Sequence, residues 1–246
     1  MTTEAPAPVD TPLVLKHDRL RLITAASGAV GATWVASGLY AGDTRFVSTL
    51  DLLIDGSPPV AEPGRAGPAE WGDEDLIQLR SGAGPAVEFE RRRRLGAALS
   101  ESVALASAPG EAQRLTIRLR VGFDAADIFE VRGYPRMVRG ELLPPRVLGR
   151  QVRLAYLGLD RRLRLLDLTV DPAPSRAIVA GLAGDGRELL ATVEWDLELG
   201  SEEWPGLGRD AALIGWRLQP SEVKVAGRTA ALGQLAGRAW ASPGVQ

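Results

Sequence analysis

Three carboxylates fall close together at Asp124, Asp127 and Glu130, and arginines follow them at Arg132, Arg136 and Arg139. Two carboxyl groups roughly 5 to 10 Å apart are what glycoside hydrolysis requires, one acting as acid and the other as nucleophile or base. The neighbouring guanidinium groups argue against that use, because they hold both carboxylates ionised and leave no evident general acid. A second mixed-charge stretch, Asp43-Thr44-Arg45, places opposite charges on one side of an extended segment with Thr44 on the other. Charge-assisted hydrogen bonds from such a pair orient a loop. Asp43, Arg45, Asp127, Glu130, Arg132 and Arg136 are therefore read as a structural ion-pair network or a binding surface. If they form one network, the strand at Arg45 must lie beside the segment around Glu130.

Other chemistry has little to work with. The chain has no cysteine, which removes thiol nucleophiles, disulfides and cysteine-based metal sites, and its only histidine is His17. A Ser-His-Asp triad or histidine metal centre has almost nothing to use, and neither a metal nor a cofactor is expected. Gly181, Gly184 and Gly186 lack the following Lys-Ser or Lys-Thr of a phosphate loop and read as a hairpin turn. Aromatics make up 5% of the chain. Tyr40, Trp71 and Tyr134 are the candidates for stacking on a sugar ring, with packing as the competing role, while Trp195 belongs to the core.

The 246 residues, 45% of them hydrophobic, suffice for one large domain. With 29 basic and 31 acidic side chains the net charge is −2, so no field calls for a nucleic-acid partner. Only Lys16 and Lys224 are lysines, and asparagine does not occur. Runs such as Arg91 to Arg94 are thus partly compositional, and a solvated edge strand is the expected setting for that run. No basic-then-apolar leader opens the chain and no apolar stretch approaches ~18 residues, so a reducing cytoplasm is the expected location.

The elements that must position these residues show a period of two. Leu115, Ile117, Leu119, Val121 and Phe123 alternate with polar residues, as do Leu189, Ala191, Val193, Trp195 and Leu197. Phe46, Leu50, Leu52 and Ile54 form a third such face that leads into the turn pair Asp55-Gly56. Shorter strands are expected at 19–24, 33–36, 76–80, 87–95, 99–106, 128–132, 152–157, 163–170 and 176–180. Residues 58–68 read as a surface loop. The alternation breaks from Glu202 onward, and between Glu222 and Trp240 at most one short helix is expected. Frequent Gly and Pro turns between short strands predict a large antiparallel β-sandwich.

Residues Gly38 to Ser48, reading GLYAGDTRFVS, resemble a segment of the N-terminal domain of bacterial glycogen debranching enzymes and amylo-α-1,6-glucosidase-like proteins. Residues Asp124 to Gly133, reading DAADIFEVRG, resemble a second signature of that family, with Ala125 where the family carries Phe. Tyr156 to Asp160, YLGLD, is a third and weaker match. The resemblance implies an all-β, supersandwich-like domain which in longer members precedes an (α/α)6 barrel bearing the catalytic acids. No such barrel is expected within these 246 residues, so the chain reads as a non-catalytic accessory or interaction domain linked to α-glucan metabolism. Its partner would be a separate barrel-type glycoside hydrolase or an α-glucan. A stand-alone α-glucan-binding module and a glycoside hydrolase are the alternatives. The expected organisation is a tail at 1–12, the sandwich at 13–201 and an extension at 202–246 packed on the same domain.

Overall fold

The computed structural model describes residues 12–31, 35–61, 67–68, 74–80, 88–107, 113–134, 136–199 and 214–237. These form an all-β sandwich of three antiparallel sheets with two helices. The strands, in chain order, are β1 (Leu13–His17), β2 (Leu20–Thr24), β3 (Gly38–Ala41), β4 (Thr44–Val47), β5 (Thr49–Ile54), β6 (Val60–Ala61), β7 (Gly67–Pro68), β8 (Glu74–Arg80) and β9 (Glu88–Leu95). They continue as β10 (Leu99–Ser107), β11 (Gln113–Phe123), β12 (Glu141–Leu148), β13 (Gln151–Leu157), β14 (Arg162–Asp171), β15 (Val179–Ala183), β16 (Glu188–Leu199) and β17 (Ile214–Lys224). Helix α1 (Ile128–Val131) follows β11, and α2 (Arg228–Gly237) follows β17.

The first sheet is a meander, β1-β2-β3-β4. The second runs β15-β16-β11-β5, and the third, of nine strands, runs β12-β13-β14-β17-β10-β9-β8-β6 with β7 also on β8. All three contribute to one core that includes Leu22, Phe46, Leu52, Ile117, Leu119, Leu154, Leu168, Val193, Trp195 and Trp216. Trp195 is 1% exposed, and its indole N–H donates to the Pro172 carbonyl at 3.2 Å. On the far face of β11, charges pair across the ladder. Arg114 opposes Glu198 and Arg118 opposes Glu194, each at 2.6 Å, with Thr116 donating to Asp196 between them. One face buries apolar groups while the other is tied by complementary cross-strand pairs.

β13 is buried on both faces, because α2 covers the outside of the large sheet. Ala231 and Leu235 of the helix close a second small core with Leu143, Ala155, Leu163 and Leu165. No helix among the described residues is long and apolar enough to cross a membrane.

Several expectations need correction. The chain past residue 213 resumes a strand, and β17 lies inside the large sheet between β14 and β10. Ile128 to Arg132 is no strand but a single helical turn with its C-cap, opened by Asp127. Val35 and Ala36 lie in a turn, while Thr33 and Trp34 lie outside the described residues. The 58–68 loop contains the short strands β6 and β7.

The arginine run is not a solvated edge: β9 is paired on both sides, by β8 and β10, and Arg91 and Arg93 point inward at 1% and 2% exposure. Glu101 of β10 stands directly opposite Arg93 and joins both. Its Oε2 lies 2.5 Å from Arg91 Nη2, and its Oε1 lies 2.9 Å from Arg93 Nε. The two guanidiniums also clamp the 24–28 turn, Arg91 donating to the Ser27 carbonyl at 3.4 Å and Arg93 to Thr24 Oγ1 at 3.1 Å. Arg93 further donates to the carbonyl of Gly28, where a Cβ would overlap its guanidinium.

Candidate functional site

The two strongest signature segments meet at one corner of the sandwich. Thr44 and Asp127 form an antiparallel bridge, Arg45 N–H donates to the Ala126 carbonyl at 2.8 Å, and Ile128 N–H donates to the Asp43 carbonyl at 2.9 Å. The expected contact between the Arg45 strand and the segment around Glu130 is thus present. Its salt-bridge partners differ from those expected: Arg45 pairs with Asp124, Nη2 to Oδ2 at 2.6 Å, and not with Glu130.

Local chain chemistry explains the placement. At Ala125, two residues past the end of β11, the backbone turns left-handed, φ 49°. The small side chain tolerates that conformation better than a branched one would. The turn leaves Asp124 facing Arg45, and its Oδ1 accepts Ala126 N–H at 3.2 Å. Asp127 then caps α1, accepting N–H bonds from Phe129 and Glu130, both at 2.9 Å, while Glu130 Oε2 accepts Asp127 N–H at 3.2 Å. This reciprocal capping box satisfies donors that a helix start leaves open, and it is why so short a helical turn persists. On the other side, Gly38 is needed because Arg45 passes over it. A Cβ at Gly38 would meet Arg45 Cδ at 2.7 Å and the Val47 carbonyl at 2.8 Å.

The remaining arginines complete the network. Arg136 pairs with Asp127 and stands 4.0 Å from Glu130, whose other oxygen is 2.9 Å from Arg139 Nε. Arg139 also donates to the Asp124 carbonyl at 2.6 Å and lies 5.7 Å over the Tyr156 ring. Arg45 spends its remaining donors on the Val35 and Ser37 carbonyls at 3.2 and 3.5 Å, which holds the turn before β3. Burial works against the Arg45 charge, but the hydrogen bond and charge of Asp124 outweigh it and raise the pKa above the usual arginine range. Tyr40 is buried, donates to the Ala36 carbonyl at 2.9 Å, and has its pKa raised, first by burial.

Asp43 and Arg132 are exposed, and among the described residues neither side chain has an ion pair; both stand outside the network. Of the sugar-stacking candidates, Tyr40 packs inside. Trp71 lies outside the described residues, and Tyr134 is exposed against Phe129. Sequence reasoning also passed over Glu188, which accepts hydroxyl donors from Ser48 at 2.5 Å and Thr49 at 3.0 Å. No local motif marks that contact, since β5 and β16 are separated by β11 in their sheet.

Two polar clefts flank the corner. One, of about 290 Å³, is lined by Thr44, Asp127, Arg136, Tyr156, Asp160 and Arg164 among others. Asp160 there accepts from Arg164 at 2.8 Å, and that bond holds its carboxyl below the usual aspartate range. The other, of about 460 Å³, is lined by Arg45, Ser48, Asp124, Glu130, Arg139 and Glu188 among others. Within these clefts Asp124, Asp127, Glu130 and Asp160 are all bound by guanidiniums, and only Glu188 has none in ion-pair reach among the described residues. Among those residues, no group of three His, Cys, Asp or Glu could hold a metal ion.

Comparison with known proteins matches this frame. The chain resembles the Slr1438 protein of Synechocystis sp. PCC 6803 in its crystal structure, with a TM-score of 0.51 and 10% identity over 90% of this chain and 99% of that one. At that identity the likeness concerns the fold. No curated protein matches the sequence. The sequence profile of the N-terminal domain of (some) glycogen debranching enzymes matches residues 15–204, which covers both signature segments, and the chain belongs to that family.

Proposed function

We propose that the chain is a non-catalytic accessory domain of α-glucan metabolism, working in the cytoplasm beside a separate barrel-type glycoside hydrolase. The observation that carries this reading is the state of the signature carboxylates. Asp124, Asp127 and Glu130 are bound to Arg45, Arg136 and Arg139, and two of them also stabilise a helical turn. A glycosidase needs two carboxyls free to face the scissile bond, whereas each of these is engaged by an arginine. A second reading, direct binding of an α-glucan, is supported by the cleft at Tyr156, Asp160 and Arg164, whose planar fixed donors and acceptors suit sugar hydroxyls.

The test is incubation of the purified chain with glycogen, pullulan and branched maltodextrins, measuring reducing ends and glucose. No release is expected. Hydrolysis that disappears in Glu130→Gln or Asp127→Asn would overturn the proposal. Affinity electrophoresis in glycogen-containing gels separates the two readings: retardation abolished by Arg164→Ala favours glucan binding, and unretarded migration favours the protein partner.

A further inference from the structure

Helix α1 and the segment that follows it expose four large apolar side chains: Phe129 at 60%, Tyr134 and Val138 at 65% each, and Met137 at 96%. Single exposed apolar residues are ordinary on a monomer, but a cluster of aromatics and methionine on one short segment is the composition of an interface centre. The segment is fixed from beneath by the Asp127 and Glu130 capping box and by the pairs to Arg136 and Arg139. A surface already held in place loses little freedom on association.

The ring geometry selects the class of partner. Phe129 and Tyr134 lie with centroids 6.2 Å apart and planes at 76°. Rings set edge to face form no flat platform for a sugar, whereas they offer a wedge for other side chains.

The charges at the rim select the partner itself. Asp43 and Arg132 are both exposed and have no ion pair among the described residues, in a corner whose other signature charges are paired. They bracket α1: the Asp43 carbonyl accepts the first helical N–H, and Arg132 is the C-cap. One exposed acid and one exposed base at the two ends of α1, beside exposed apolar side chains, can complement each other in a second copy. A two-fold axis passing near α1 would let Asp43 of each copy meet Arg132 of the other. We propose that the chain forms an isologous dimer through this corner. The proposal is independent of the role in glucan metabolism.

Sedimentation velocity on the purified full chain, from roughly 1 to 200 μM, reads the result. A concentration-dependent dimer is expected, and Met137→Asp is expected to leave a monomer throughout. Asp43→Arg and Arg132→Asp should each weaken association about tenfold or more, because like charges then face each other. The double variant D43R/R132D should recover most of it, and equal melting temperatures would show that the fold is intact. A monomer at every concentration, a dimer indifferent to Met137→Asp, or a double variant no better than the singles would each overturn the proposal.

Discussion

Replacing Arg45 by Ala removes the guanidinium that joins the two signature segments. Its side chain and that of Asp124 are 17% and 12% exposed, between the surface and buried regimes. Exposed pairs contribute about 0 to 1 kcal/mol, while breaking a buried pair costs about 3 to 5 kcal/mol, because a charge is left without a partner. The expected loss is about 2 to 3 kcal/mol, to which release of the Val35 and Ser37 carbonyls adds a smaller part. Urea unfolding followed by tryptophan fluorescence, at constant slope, measures it. A double-mutant cycle with Asp124→Ala should show coupling above about 1 kcal/mol, whereas the cycle with Glu130→Ala should be additive within about 0.5 kcal/mol. A loss under about 0.5 kcal/mol for Arg45→Ala, or additivity with Asp124→Ala, would refute the reasoning.

Glu101→Gln should destabilise the chain by about 3 to 5 kcal/mol, because Arg91 and Arg93 would stay buried side by side without their shared carboxylate. Replacing all three by apolar residues of similar volume should recover most of that loss, measured in the same urea assay. Tyr40 has its pKa raised by burial, so the folded state holds the phenol proton more tightly than the unfolded state does. That contribution is complete below the unfolded value near 10 and is lost as the pH rises through the folded value. Tyr40→Phe should therefore flatten the alkaline limb of the stability profile, while lowering stability near neutrality by about 1 kcal/mol through loss of the bond to Ala36.

Strands with one wet face were legible because their alternation is a local property. β5, β11 and β16 lie where the period of two places them, and Asp55 and Gly56 both take positive φ at the predicted turn. What depended on partners distant in sequence was not legible. Arg91 and Arg93 can face inward only because Glu101 arrives opposite on β10, and nothing within the arginine run announces it. β17 was obscured by Pro220, which normally argues against an interior strand. Here β10 pairs with β17 only as far as Leu218, so Pro220 lies where the strand is paired on the β14 side alone. The one-turn helix could have been recognised, since Asp127 and Glu130 have capping-box spacing. The choice of Asp124 over Glu130 for Arg45 depends on the left-handed turn at Ala125, which residue type alone does not specify.

The position of β17 also determines when the molecule can assemble. β12 to β14 and β6 to β10 are successive in the chain but sit on opposite sides of it, and Leu218 lies between Leu99 and Leu168. During synthesis the edges of β14 and β10 therefore remain open until residue 224 has emerged, and the two half-sheets have no common strand. Pairings between such distant segments form late, on a timescale of roughly milliseconds to seconds. Two unpaired edges exposed throughout that wait invite association with other nascent chains. The demand this fold makes on the cell is protection of its half-finished sheet, and a truncation that removes β17 should yield an aggregating chain rather than a smaller folded domain.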